Sequence, residues 1–340
     1  MISDKLRPRA LALVSYSWED AVKFGLSTLT RGVFTTPETY SAVAKAAERA
    51  GFDFLSVSDH LVVPAKFKTR YPYHVAGVFA AAEHGHCFDQ LATVAFLAGC
   101  TERLRLLTSV TVVPHRPAML TAKMLATIDV LAKGRLIIGA GTGWMKEEFE
   151  LLGVPFEDRG RLTDEYLAAF KELWTKEKPA YSGKYVKFSE VLFYPKPVQK
   201  PHPPLWIGGE SPPALRRTIQ FADAWYPGSD SQTRPLDTPE RLAAGIAEVK
   251  RACGAAGRDP ATLRVALLVQ GFFEWGDCKT ADGTARRLFT GTSADMAADA
   301  AALSSLGVGH AALRLGGNNA RECVDRIERF GAEVIAKMKS

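Results

Sequence analysis

The chain has 340 residues, 47% of them hydrophobic and 24% charged, so it can bury a large core and is not expected to be disordered. Its net charge of +6 comes from dispersed basic residues, which argues against a nucleic-acid surface but suits an anionic small molecule, and its five cysteines indicate neither disulfides nor zinc. No segment has the length and composition of a membrane span or a signal peptide, so we expect a cytoplasmic protein.

We predict an N-terminal extension over residues 1–21, followed by a single domain over residues 22–340. The domain opens with a β-prone run, Val22–Leu29. Thr36-Pro37 then provides an N-cap and a first helical residue, and Gly51 ends the helix. The next strand, Phe52–Val57, follows at once. This is a βαβ unit, whose two strands are parallel.

The alternation continues to the end of the chain. Further strands are predicted at Leu104–Val113, Gly134–Ala140, Leu205–Gly208, Ala224–Tyr226, Leu263–Val269 and His310–Leu315. Helices are predicted at Phe88–Cys100, Pro117–Ala132, Thr163–Thr175, Ala214–Phe221, after Thr238-Pro239, and at Ala294–Leu306 and Arg321–Met338. Eight such units without a break in composition predict the α/β class and a (β/α)8 TIM barrel.

Long insertions follow three of the strands, at Leu61–Cys87, Gly141–Leu162 and Gly271–Thr292, and Pro179–Phe188 is typical of a small hairpin. Because active sites of TIM barrels lie at the C-terminal ends of the strands, we expect the site among these insertions.

Short motifs stand in a fixed order at the strand ends: Ser58-Asp59-His60, Thr108-Ser109-Val110, Gly139-Ala140-Gly141-Thr142-Gly143-Trp144, Arg159-Gly160-Arg161 and Trp206-Ile207-Gly208-Gly209. The series resembles the luciferase-like monooxygenase superfamily, most of all its branch that uses the deazaflavin F420, over residues 22–226. The resemblance implies a TIM barrel that holds F420, or alternatively FMN, across its mouth. It also implies a homodimer and a small-molecule substrate.

The pair Asp59-His60 lies where catalytic residues of a barrel are found. The resemblance implies that His60 gives a proton to the substrate or takes one from it, and that Asp59 contacts the cofactor. The alternative is structural, with Asp59 capping the next loop and His60 packed in the core.

The other residues implied to bind the cofactor are Ser109, Val110, Gly141, Thr142, Gly143, Ile207, Gly208 and Gly209. At Ser109-Val110 the resemblance implies a non-proline cis peptide behind the cofactor ring, against the alternative of an ordinary buried strand. The glycines after strand four do not have the spacing of a dinucleotide fingerprint, and we interpret them as letting the backbone approach the ring.

The substrate side is predicted from aromatic residues, namely Trp144, Phe67, Tyr71 and Tyr73, which alternatively form an aromatic loop packed on the barrel rim. Trp144 stands where some sugar dehydrogenases of this branch carry a catalytic glutamate, which argues against a sugar phosphate. Glu147 and Glu148 are interpreted as helix surface, with the alternative that one of them supplies a carboxylate near the site. Candidate ligands of a phosphate tail are Arg234, Arg286, Arg287 and Arg314, and His84-x-His86 lacks partners for a metal site.

The hypothesis from the sequence is therefore an F420-dependent oxidoreductase that transfers hydride between the deazaflavin and a small organic substrate, with His60 as the proton donor or acceptor. Two alternatives remain open at this point. One is an FMN-dependent monooxygenase that uses O2 and a reductase partner, and the other is a non-catalytic flavin-binding barrel. The substrate and the direction of hydride transfer are left open.

Overall fold

A computed structural model describes residues 22–74, 76–79, 86–269, 275–276 and 278–338. The predicted extension over residues 1–21 and His84 of the histidine pair lie outside the described residues, and the division of the chain at residue 22 stays a prediction.

Eight parallel strands close into a barrel, which confirms the predicted TIM-barrel architecture. The barrel strands are β1 (Lys23–Thr28), β2 (Phe54–Val57), β3 (Arg105–Val112), β4 (Leu136–Gly141), β7 (Leu205–Gly208), β8 (Ala224–Tyr226), β9 (Arg264–Val269) and β10 (Val308–Leu313). Closure is made by β1 and β10, which pair in parallel from Lys23 opposite His310 to Leu26 opposite Leu313.

The helices lie between the strands: α1 (Pro37–Arg49), α2 (Gln90–Cys100), α3 (Ala118–Leu131), α4 (Lys146–Leu151), α5 (Arg159–Thr175), α6 (Pro212–Phe221), α7 (Pro239–Ala255), α8 (Ser293–Ser305) and α9 (Ala320–Phe330). Two of the predicted N-caps are confirmed, since Thr36 accepts a hydrogen bond from the N–H of Thr39 and Thr238 accepts one from Arg241. None of the helices among the described residues is long and apolar enough to traverse a bilayer.

Three parts of the prediction differ in detail from the structure. The segment after β4 was predicted as a connection, but it contains α4, and α5 begins at Arg159 rather than at Thr163. The last helix is α-helical only to Phe330 and continues as a π-helical turn, Gly331–Ile335. The hairpin is confirmed, with β5 (Tyr181–Ser182) antiparallel to β6 (Lys187–Phe188).

The core has two layers, as expected of a barrel that is wrapped by helices. A large cluster of apolar side chains fills the space between the strands and the helices. A smaller one fills the inside of the barrel, where Trp206 packs against Phe54, Tyr226 and His310 at ring-centroid distances of 5.8, 5.3 and 5.2 Å. This plug closes the barrel below the strand ends and leaves its C-terminal mouth free for a site.

Candidate active site

A cavity of about 620 Å³ opens at the C-terminal ends of the barrel strands. This volume is in the range that holds a cofactor or a small ligand. Most of the predicted site residues line it: Asp59, His60, Tyr71, Tyr73, Ser109, Val110, Gly141, Thr142, Gly143, Trp144, Gly208 and Gly209. Ile207 and Phe67 do not. The side chain of Ile207 is buried between the barrel and the helices. Phe67 does not line the cavity, and its ring centroid lies 6.5 Å from that of Trp144.

His60 follows β2 and is held by a carboxylate from a different part of the chain. Its Nδ1 lies 2.8 Å from Oε2 of Glu148 on α4, and Oε1 of Glu148 accepts the N–H of Leu61 at 2.8 Å. A carboxylate accepts only from a nitrogen that bears a hydrogen, so Nδ1 carries a hydrogen and Nε2 is the nitrogen left to exchange a proton with a ligand. This is the arrangement of a general base with its orienting acid.

The interpretation of Glu148 as helix surface is wrong, because the residue is only 1% exposed. Burial alone would raise the pKa of Glu148, but the hydrogen bond and charge of His60, with His115 and the N–H of Leu61, outweigh it and hold the pKa below its usual range. Glu148 is therefore a buried anion directly beside the ring of His60.

A second histidine, His115, approaches the same carboxylate. Its Nδ1 lies 3.9 Å from Oε1 of Glu148, beyond hydrogen-bond distance, and its ring packs on Phe149 at 4.7 Å. Neither ring nitrogen has a hydrogen-bond partner among the described residues. Burial lowers the pKa of His115 and the charge of Glu148 opposes this only in part, so His115 is neutral near pH 7.

Asp59 is held by hydrogen bonds from other parts of the protein. Its two carboxylate oxygens accept from Nη1 and Nη2 of Arg116, each at 2.9 Å, and one also accepts the N–H of Val112 at 2.9 Å. Arg116 in turn bonds Asp89, the N-cap of α2, at 2.6 Å. The pair thus ties the ends of β2 and β3 together, while contact between Asp59 and a cofactor stays a prediction.

The end of β3 is a bulge that projects into the cavity. The peptide between Ser109 and Val110 is cis, as predicted, and the pairing of β3 with β4 shifts in register between Thr108 and Thr111. The hydroxyl of Ser109 lies 3.0 Å from the hydroxyl of Tyr226 across the barrel mouth. The bulge therefore places the side chain of Val110 among the lining residues.

The glycines around the bulge explain why the side chain of Val110 fits. A Cβ on Gly141 would lie 2.6 Å from Cγ2 of Val110, and one on Gly208 would lie 3.2 Å from its Cγ1. Gly143 has a φ of +79°, and a Cβ there would also meet Phe149 at 2.6 Å. A side chain at these positions would collide with the bulge or the core, which explains why they are glycine more specifically than the predicted approach of the backbone to a ring.

An aromatic wall closes one side of the cavity, around Trp144. Its ring centroid lies 5.0 Å from that of Tyr71 and 5.2 Å from that of Phe79. Phe79, which the sequence reasoning missed, also stacks on His60 at 4.8 Å. Glu147 holds the same loop from outside by accepting the N–H of Lys68 at 2.7 Å. The wall covers His60, which is 8% exposed, while contact of these aromatic side chains with a substrate stays a prediction.

The opposite side, beyond β4 and β7, carries polar and charged groups. Ser211 caps α6 by accepting from the N–H of Ala214, and Arg159 and Arg217 also line the cavity, Arg217 in an ion pair with Asp164. Glu210, also missed from the sequence, is buried there. Burial is the largest effect on its pKa and raises it to about 7, against hydrogen bonds from the N–H of Gly228 and from Ser231.

The arginines suggested for a phosphate tail divide into two groups. Arg234, Arg286 and Arg287 are in ion pairs with Glu248, Asp299 and Asp230, respectively. Arg314 lines the cavity. In the part of the chain that the structure describes, no three His, Cys, Asp or Glu side chains come together in a way that could hold a metal ion.

The family model described as luciferase-like monooxygenase matches residues 22–319. The chain belongs to the luciferase-like monooxygenase family. It is 33% identical over 249 residues to the uncharacterised protein Rv0953c of Mycobacterium tuberculosis, which spans 73% of this chain and 84% of that one.

Two other luciferase-like proteins bear on cofactor and fold. The FMNH2-dependent dimethylsulfone monooxygenase of Pseudomonas putida is 32% identical over 187 residues, 54% of this chain and 46% of that one. The coenzyme F420-dependent tetrahydromethanopterin reductase of Methanopyrus kandleri superposes with a TM-score of 0.70 at 17% identity, over 93% of this chain and 99% of that one. The second likeness supports the fold alone.

Proposed function

We propose that this luciferase-like protein is an F420-dependent oxidoreductase that acts on a small organic substrate. The observation that carries the proposal is the pairing of His60 with the buried Glu148 at the wall of a 620 Å³ cavity. An oriented histidine is what proton transfer to or from a substrate oxygen requires. The ordered motifs of the strand ends, which resemble the F420 branch most, support the choice of cofactor.

The cavity fits a planar ring with a phosphate-bearing tail. Gly141, Gly143 and Gly208, which have no side chains, would form a floor for the ring together with the side chain of Val110. Ser211 and Arg159 would receive the phosphate at the start of α6, since the first N–H groups of a helix attract anions. When bound, F420 supplies or accepts a hydride.

The chain's own residues would then handle the proton. Nε2 of His60 gives a proton to the substrate oxygen in one direction and takes it in the other, while Glu148 stabilises the positive charge that the ring gains in the second case. Trp144 and Phe79 pack around His60 and exclude water, which strengthens this interaction.

An FMN-dependent monooxygenase is the second candidate. It is supported by the 32% identity to the FMNH2-dependent dimethylsulfone monooxygenase, a similarity that spans about half of each chain. The same cavity and the same histidine would serve it, with reduced FMN supplying the activation of oxygen. The two candidates therefore differ in cofactor rather than in protein architecture.

Equilibrium binding to the purified apo-protein separates them. We expect F420 to bind with micromolar or tighter affinity and FMN at least tenfold more weakly, as followed by cofactor fluorescence. The reverse preference would overturn the F420 assignment and direct the search to oxygen-consuming reactions. An active protein whose turnover survives His60→Ala would overturn the role of His60, and tight cofactor binding without any turnover would favour a binding protein.

A further inference from the structure

Two arginines of the cavity take no part in the site described so far. Arg31 follows β1 and Arg314 follows β10, and these strands are hydrogen-bonded neighbours in the barrel. Both guanidinium groups therefore stand on the same side of the mouth. Arg31 and Arg314 are close enough that the charge of Arg314 acts on the pKa of Arg31.

Neither arginine has a carboxylate partner among the described residues. Three acids of the cavity wall contact other groups instead. Asp59 pairs with Arg116, Glu148 contacts His60, and Glu210 accepts the N–H of Gly228. The buried Nε of Arg314 also lacks a hydrogen-bond partner within the described ranges. Burial and, after it, Arg314 lower the pKa of Arg31 to about 10, so the side chain remains a cation at neutral pH.

Two partly buried cations that the described residues leave without a carboxylate are costly, and a bound anion between them would remove that cost. The position of such an anion is set by their neighbours. Arg31 lies over the ring of Phe79 at 4.5 Å, and the same ring packs against the ring of His60 at 4.8 Å. The positive charge of Arg314 acts to lower the pKa of Tyr226, and the hydroxyl of Tyr226 contacts Ser109 of the bulge. The anion would thus lie next to both the histidine and the bulge.

We propose that Arg31 and Arg314 bind an anionic group of the substrate, so that the substrate of this cavity is a small organic acid or organic phosphate. Assignment to the substrate, rather than to the cofactor, rests on the proposed function and on topology. β1 and β10 lie across the barrel from β4 and β7, where Arg159 and Ser211 would hold the cofactor phosphate.

The test measures anion binding to the protein loaded with whichever cofactor it binds. The probes are benzoate, inorganic phosphate and, as an uncharged analogue of benzoate, benzyl alcohol, each titrated by calorimetry. We expect benzoate or phosphate to bind and benzyl alcohol to bind at least tenfold more weakly than benzoate. Arg31→Gln and Arg314→Gln should each lower the affinity for the anion about tenfold or more, because each removes charge-assisted hydrogen bonds.

Three controls keep the result specific. Arg161→Gln, which removes an arginine that is 77% exposed on α5, should leave anion affinity unchanged. Arg31→Lys and Arg314→Lys keep the charge and should retain more affinity than the glutamine variants, and thermal melting verifies that all variants fold. Cofactor affinity in Arg31→Gln and Arg314→Gln should stay within about twofold of the parent.

The inference is overturned if no anion binds, if the glutamine variants bind anions as well as the parent, or if they lose cofactor instead of anion. The last result would assign the pair to the cofactor tail. If the apo-protein binds benzoate or phosphate through both arginines but binds neither F420 nor FMN, the proposed function fails and the anion site stands.

Discussion

His60 and Glu148 are separated by 88 positions in the chain, yet their side chains lie 2.8 Å apart at the wall of the cavity. The carboxylate does two things. It fixes which ring nitrogen carries the hydrogen, and it provides the negative charge that a protonated ring needs. In the proposed mechanism Glu148 is therefore a positioning residue, since it would act through His60 and is itself buried.

Glu148→Gln should lower kcat about a hundredfold, because the amide keeps the shape but loses the charge, with KM changed less than about threefold. Steady-state kinetics of the parent, Glu148→Gln, His60→Ala and the double variant check this. If the two groups act as a unit, the double variant is no slower than His60→Ala alone. Additive losses would contradict the pairing.

The same substitution has a signature in stability. The pKa of Glu148 is depressed in the folded state, so its carboxylate contributes stability above the unfolded value of about 4.3 and loses it as pH falls through the lower folded value. The difference in unfolding free energy between the parent and Glu148→Gln should shrink as pH falls below about 4, because the carboxylate then takes up a proton. A difference that keeps growing below about pH 4 would contradict the depressed pKa.

Among the elements, β3 and β4 show how a strand end becomes part of a site. The bulge at Ser109-Val110 turns the side chain of Val110 into the cavity, and Gly141 on β4 provides the space. Overpacking at such a position costs about 1–3 kcal/mol when the neighbour has to move. The fit of the floor therefore depends on a missing methyl group.

Gly141→Ala should reduce cofactor affinity at least tenfold and destabilise the fold by about 1–3 kcal/mol, since its Cβ would stand 2.6 Å from Val110. Gly99→Ala is the matched control, because Gly99 is exposed on α2 and a Cβ there meets no atom within 4 Å. That change should stabilise the protein by about 0.5–1 kcal/mol and leave cofactor affinity unchanged. Binding titrations and urea unfolding measure both effects.

Elements could be predicted from the sequence wherever the signal is local. Thr36 and Thr238, each followed by proline, mark helix starts that the structure confirms. The contact of Glu148 with His60 could not be predicted in this way, because the two residues are distant in the chain and the neighbouring Glu147 suggests a solvated face. A signal was present, however, since Glu148 interrupts an otherwise apolar stripe at helical spacing, made of Met145, Phe149 and Leu152.

At the scale of the whole molecule, the barrel fold was predictable because eight repeats of one pattern average out errors at the boundaries of each. Which side chains line the cavity was less predictable from the sequence. Phe79 and Glu210 lie in segments without periodicity, and Arg31 belongs to a short turn after β1. Their convergence depends on the closure of the sheet, which no local pattern encodes.

The interior of the barrel also makes the stability of the whole fold depend on pH. His310 on β10 is buried against Trp206 and Phe54, with Asp53 3.9 Å from Nε2. Burial, and after it the positive charges of Lys23 and Arg105, lower the pKa of His310 to about 3. In the unfolded chain the value is about 6.5, so between the two the unfolded state binds a proton that the folded state does not.

Stability should consequently fall as pH is lowered from 7 to 5, with His310 contributing a slope of up to about 1.4 kcal/mol per pH unit below pH 6.5. His310→Gln should flatten this dependence, leaving the smaller part that His115, whose pKa is also lowered, supplies. Urea unfolding at several pH values in this interval measures the slope. An equal slope in the parent and in His310→Gln would contradict the buried neutral state.

The loop that follows β2 and carries Phe67, Tyr71 and Tyr73 is held mainly through its backbone, so its attachment does not depend on which side chains it carries. Glu147 accepts the backbone N–H groups of Lys68 and Thr69 and the hydroxyl of Thr69, and Glu148 accepts those of Leu61 and Val62. Backbone groups are present whatever the side chains are. The aromatic positions that follow these contacts, Tyr71 and Tyr73, should therefore be open to variation, to change the substrate range of the proposed enzyme, while the two carboxylates hold residues 61–62 and 68–69, and with them His60, in place.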